Sequence, residues 1–115
     1  MILSLMEQYS TQLDNVFQAL ADPTRRAVIG RLSRGPASVS ELAEPFDMAL
    51  PSFMKHIRLL EESGWILTRK RGRVRTCTVE KQALVAADTW LAEQRAHWQA
   101  RLDRLDAWLE DPKND

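Results

Sequence analysis

The chain has 115 residues, 44% hydrophobic and 28% charged, and a formal net charge of zero at neutral pH. That balance is ordinary for one globular domain, or one domain with an accessory helix, burying roughly two thirds of its unfolded surface. No apolar run approaches the ~20 residues of a membrane span, and the single cysteine excludes an internal disulfide and fits a reducing, cytoplasmic setting.

The opening segment MILSLMEQYS lacks Lys and Arg and is too short for a signal peptide. Leu13, Val16, Phe17 and Leu20 then recur at i, i+3, i+4 and i+7, which predicts a first helix over 11–21. Asp22-Pro23 restarts the chain as a second helix, with Asp as cap and Pro at its first position. Ala27, Val28, Ile29 and Leu32 form its expected buried side, and Gly35-Pro36 ends it. Ser38 and Glu41 fit a capping box opening a short third helix, about 39–45, that buries Val39, Leu42 and Phe46. A fourth helix follows over 50–63, and Ser63-Gly64 supplies its stop. No internal repeat or low-complexity segment is visible.

The fourth helix has two faces. Phe53, Ile57 and Leu60 lie within about 60° of one another and form a core stripe. Pro51, Lys55, Arg58 and Glu62 lie opposite, flanked by Ser52 and Met54. A hydroxyl, a lysine and an arginine on the first turns make a usable surface for base edges and phosphates. His56, beside the stripe, reads as a half-buried packing residue.

Residues 65–79 read as a β-hairpin, with Trp65 to Thr68 opening one strand and the β-branched run Val74 to Val79 forming the other. Its tip carries Arg69, Lys70, Arg71, Arg73 and Arg75 around one glycine. Such a cluster is ordinarily a solvated face, or a guard on an edge strand. Here the segmental charge argues for a polyanion. Residues 24–75 hold eleven basic against five acidic residues, whereas both flanks are net acidic by three. A helix pair followed by a basic hairpin suits one helix in the major groove and a charged wing on the flanking backbone.

Residues 81–110 predict a last helix of about 45 Å. Leu84, Ala87, Leu91, Arg95, Trp98, Leu102, Leu105 and Leu109 recur near every 3.5 residues, broken at Arg95, with Trp90 and Trp108 adding apolar surface. A helix this long overhangs a small core, and its face implies a partner: the same helix, with the first helix, of a second subunit. Asp111-Pro112 ends it, and the tail KND is expected to fray.

Over nearly its whole length the chain resembles the ArsR-type (ArsR/SmtB) winged-helix transcriptional repressors. ALADPTRRAVIGRLSRG is similar to that family's passage from first to second helix, SVSELAEPFDMALPSFMKHIRLLEESGWI to its helix-turn-helix, and RKRGRVRTCTV to its wing. The resemblance implies a mostly α fold with a small β-hairpin, a winged helix-turn-helix of five helices plus wing. It implies one domain over 1–115: helix-turn-helix 38–64, wing 65–79 and dimerisation helix 81–110. It implies a homodimer paired through the first and last helices, an imperfect palindromic operator near its own promoter, and derepression by an undefined effector. DNA contacts then fall on Pro51, Ser52, Met54, Lys55, Arg58, Arg69, Lys70, Arg71, Arg73 and Arg75. The dimer contacts fall on Leu13, Phe17, Leu84, Leu91, Trp98, Leu102, Leu105 and Leu109.

The departures matter too. Metal-sensing members of that family carry cysteines on the third helix, where this chain has Glu41-Leu42-Ala43-Glu44, and thiolates are what hold soft metals. On the last helix His97 stands alone, with Asp88, Glu93 and Asp103 at unsuitable spacing. No metal and no cofactor are expected. Ala49 stands where relatives usually carry a capping serine, and Met54 where many carry serine. Cys77 shares a strand face with Val79 and reads as core; with Arg75 on the same face, a redox-sensing thiol is the alternative. No Ser-His-Asp set, phosphate loop or HExxH string suggests an enzyme. The other alternative is a winged-helix module that binds a protein through its Trp-bearing helix and does not read DNA.

Overall fold

The chain turns helical earlier than the stripe at 13–20 indicates. The computed structural model describes residues 2–110, with the backbone alone for 2–6, 8 and 9. The first helix, α1, spans Ile2–Ala19. Residues 2–10 hold neither Gly nor Pro and are rich in Leu, Met, Glu and Gln, which favour helix. The expected helix stop at Asp111-Pro112 and the tail lie outside the described residues.

Helix α2, Pro23–Leu32, begins where Asp22-Pro23 places it: the Asp22 carboxylate accepts from the Arg25 N–H at 3.1 Å. Val28 and Leu32 are buried and Ile29 half-buried, but Ala27 is exposed. The buried line is thus the i, i+4 pair, and Ala27 points about 100° away from it. Strand β1, Ala37–Ser38, leads into helix α3, Val39–Ala43. Both halves of the Ser38–Glu41 capping box are formed. Helix α3 is shorter than expected because Pro45 has no N–H with which to extend it. Phe46 is half-buried and stacks on Phe53, with ring centroids 5.7 Å apart.

Helix α4 spans Leu50–Glu62, and Phe53, Ile57 and Leu60 are buried as its spacing predicts. Gly64 takes φ +83°, a left-handed stop that suits glycine. Strands β2, Ile66–Arg71, and β3, Val74–Val79, form the hairpin, which turns at Gly72 with φ +60°. The sheet has three antiparallel strands in the order β1-β3-β2, so the hairpin is not alone. Ala37 pairs with Cys77 and Ser38 with Thr76. Trp65 precedes β2 and is buried, its indole N–H donating to the Val16 carbonyl at 2.9 Å.

Helix α5, Lys81–Glu110, begins where expected and continues to the last described residue. Only its start belongs to the core, through the buried Ala83 and Ala87. Trp90 meets Phe17 edge-on at 5.5 Å. From 95 to 110 every residue is exposed. The radius of gyration is consequently 20.0 Å, against about 13 Å for a compact domain of this length.

A polar node joins three helices. The Arg25 guanidinium donates to the carbonyls of Ala19 and Gln18, which end α1, and lies 3.0 Å from Nδ1 of His56 on α4. The Asp22 carboxylate, capping α2, stands 3.7 Å from the same His56 nitrogen. Partial burial pulls the Asp22 carboxyl upward. The Arg25 N–H, the charge of His56, the Arg25 guanidinium and the Thr24 N–H together outweigh that pull and hold it below its ordinary value.

A carboxylate depressed in the folded state contributes stability that is present above its unfolded pKa and lost as pH falls through the folded one. Asp22→Asn keeps an oxygen to cap α2 but removes the charge. The variant should melt below wild type at pH 7, and the gap should narrow as pH falls below about 4. A gap that stays constant from pH 7 to pH 3 would refute the charge role of Asp22.

Candidate nucleic-acid interface

Helix α4 is held by its stripe of buried residues, which turns the opposite side outward. Pro51, Ser52, Lys55 and Arg58 are all exposed there. Met54 is different: it is half-buried and packs partly against the core. At about 100° per residue, it sits on the edge between the two faces.

The strand register assigns the wing's cations to two faces. Arg69 pairs with Thr76 and Arg71 with Val74, on the side that carries Leu67 and Thr78. Lys70 pairs with Arg75, in line with the Thr68–Cys77 and Ile66–Val79 pairs whose side chains turn toward the core. All five cations, Arg69, Lys70, Arg71, Arg73 and Arg75, are exposed. Arg75 is also tethered: it donates to the Thr68 hydroxyl at 3.4 Å, and that hydroxyl donates to the Glu61 carboxylate of α4. The base of the wing is thereby tied to the far end of the recognition helix.

Between wing and helix lies an open cleft of about 380 Å³. Arg73, Val74 and Arg75 line one wall, Leu50 and Met54 the other, with Ser38 and Ser40 at one end. The sequence assigns no binding role to Leu50, Val74, Ser38 or Ser40; it marks Ser38 as a helix cap and Val74 as the start of a strand. The i, i+3, i+7 spacing of Leu50 with Phe53 and Ile57 reads as core. Leu50 is nevertheless 58% exposed, because the first turn of α4 projects beyond the packed stripe. Ser40 carries no sequence signal beyond its place near the start of α3.

Cys77 has no solvent exposure. Burial pushes its thiol up, Glu61 pushes it further, and the opposing pull of Arg75 is smaller. The expectation that Arg75 would activate this thiol is therefore corrected: the net shift is away from the thiolate that redox chemistry needs. Among the described residues, no group of three or more His, Cys, Asp or Glu side chains comes together as a metal site. His97 is exposed, and His56 is engaged with Arg25.

The start of α4 lacks a side-chain cap. Ala49 holds the cap position with φ −64° and ψ 146°, an extended conformation that suits a capping hydroxyl. Of the four positions at the head of the helix whose N–H finds no partner within it, Pro51 has no N–H, so three such groups remain. Ala49→Ser should raise the melting temperature by a few degrees, the effect of ~1 kcal/mol in a domain this size. A lowered melting temperature for the free protein would show that a serine at position 49 does not cap α4.

A helix-turn-helix domain family matches residues 20–69. The HTH-type transcriptional regulator Rv2034 of Mycobacterium tuberculosis is 36% identical over 76 residues, covering 66% of this chain and 71% of that protein. The transcriptional repressor SdpR of Bacillus subtilis is 28% identical over 79 residues, covering 69% and 88%. The crystal structure of an ArsR family transcriptional regulator is 70% identical, with a TM-score of 0.76, covering 78% of this chain and 93% of that one. Exposed cations on the reading helix and wing, a three-stranded sheet behind them and these likenesses have one meaning: the chain belongs to the ArsR family of winged helix-turn-helix transcriptional regulators.

Proposed function

We propose that this chain is a homodimeric repressor that binds an imperfect palindromic operator in the cytoplasm and acts by binding alone. The observation that carries the reading is the concentration of exposed cations on neighbouring elements, Lys55 and Arg58 on α4 and five on the wing, of which Arg73 and Arg75 line the cleft between them. Like charges crowded at a hairpin tip oppose folding, and a polyanion relieves them. Helix α4 then enters the major groove, where Ser52 and Lys55 meet base edges and Pro51, Met54 and Arg58 lie alongside. Arg69, Lys70, Arg71 and Arg73 rest on the flanking backbone, which positions the protein without reading sequence. The relative from Bacillus subtilis is itself a repressor by name, which supports repression here. No described helix is long and apolar enough to cross a membrane.

The dimer reading rests on α5. Leu84, Leu91, Trp98, Leu102, Leu105 and Leu109 are each between 45% and 62% exposed. They recur at spacings of seven, seven, four, three and four, so they form one seam along the helix. Covering one such seam with its equivalent, together with the half-buried Leu13 and Phe17 of α1, removes from water a stripe that a stable monomer rarely leaves open. Two-fold pairing sets two α4 helices on one side of a duplex, with half-sites about one turn, ~10 bp, or a multiple of it apart.

Three variants test the division of labour. Trp98→Glu should give monomers or insoluble protein, and a well-folded wild-type monomer in sedimentation at micromolar concentration would refute the dimer. Arg71→Ala with Arg73→Ala should weaken binding to selected and random duplexes alike, lowering the salt slope by roughly one unit per lost phosphate contact. Lys55→Ala should instead change sequence preference, by ~1–3 kcal/mol for a lost base contact. Equal losses on selected and random DNA for the lysine variant would place Lys55 on the backbone.

A further inference from the structure

Outside α5, the exposed large hydrophobic residues among those described are Leu50, Leu67 and Val74. Leu50 and Val74, at 58% and 53% exposure, line the same cleft between α4 and the wing. They belong to different elements, and the half-buried Met54 lies between them on the α4 wall. A single exposed leucine is normal. An apolar cluster lined by Arg73 and Arg75, at the head of the helix proposed to read DNA, has a more specific use.

We propose that Leu50, with Met54 and Val74, reads the C5-methyl group of a thymine in the major groove. The proposal rests on the DNA-reading function given above and assigns a base to one part of that surface. The chemistry selects this occupant. A duplex drawn against the cations presents phosphates at the rim of the cleft and base edges at the head of α4. Leucine, methionine and valine offer no hydrogen-bond donor or acceptor for a purine edge. The thymine methyl is the apolar group on the major-groove edge, and contact with it is how an aliphatic side chain discriminates between bases. The cations hold the backbone and contribute affinity without sequence; the apolar wall distinguishes T from C at one position of each half-site.

The test uses the full chain and a duplex selected from a random library. Each thymine in turn is replaced by deoxyuridine, which removes the methyl group and leaves base pairing intact. In wild type, one position per half-site should lose about fourfold in affinity, the worth of one buried methyl group. In Leu50→Ala the same replacement should cost nothing, while the salt slope stays that of wild type. Leu50 is exposed and Ala favours helix, so folding is not at stake. Val74→Thr, nearly the same shape but polar, should reduce the penalty at the same position. If the selected duplex binds tightly and no deoxyuridine position is coupled to Leu50, the thymine assignment is wrong and the DNA-reading function stands. If the chain does not prefer the selected duplex over random DNA, both fall.

Discussion

The buried hydrogen bond from the Trp65 indole to the Val16 carbonyl, 2.9 Å long, fixes the geometry on which the rest of the molecule depends. Trp65 sits at the root of the wing, one residue after the glycine that stops the reading helix. Its backbone N–H closes α4 by donating to the Leu60 carbonyl, and its own carbonyl accepts from Glu80 at the start of α5. The Gly64 carbonyl accepts from Ala83 of α5. One residue and its neighbour thus join α1, α4, the wing and α5. A buried indole N–H left without its acceptor costs ~1–3 kcal/mol, more than the bond contributes net. The arrangement is therefore held in place as much by the penalty for losing it as by its strength.

That root divides the molecule by purpose. On one side the reading helix and wing project together, with their relative angle set at Trp65 and reinforced by the Glu61–Thr68–Arg75 chain. On the other, α1 and the start of α5 pack through Ala83, Ala87 and the Phe17–Trp90 contact, and α5 then leaves the core. Arg25 bridges the two sides, because it holds the last carbonyls of α1 and reaches His56 on α4. A shift of α1 in a subunit interface would reach α4 through this guanidinium and through Trp65, two of the polar links that cross from one half to the other.

Most of this was legible in the sequence where a single physical rule acted alone. Asp22-Pro23, the Ser38–Glu41 box and Ser63-Gly64 are local chemistry, and each sits where its residues place it. The stripe of Phe53, Ile57 and Leu60 and the unbroken run of α5 through the described residues follow from periodicity. The misreadings came where two rules met. Ser38 ends a strand and caps a helix at once, and a strand of two residues has no alternation to detect, so β1 was invisible. Ala27 has the same composition signal as its buried neighbours and differs only in angle. The cations at the wing tip were visible as a cluster. Their division between two faces depends on the register, which the turn at Gly72 sets and the sequence states only indirectly.

Apart from the exposed seam of α5, the departures from good folding economy gather at the head of α4 and on the wing. Ala49 leaves the head of α4 uncapped, the wing crowds five cations, and Leu50 and Val74 stand in water beside them. Elsewhere, among the described residues, no buried side-chain nitrogen or oxygen lacks a hydrogen-bond partner. A sequence that meets its polar obligations in the interior and leaves them open along one cleft has not failed to optimise that cleft for the free state. In the DNA-reading proposed above, free N–H groups at the helix head donate to a phosphate, cations at the hairpin tip pair with a second one, and the apolar wall covers a methyl group. On that proposal each defect of the isolated protein is half of a contact, and the three together suit the shape and charge of a DNA duplex.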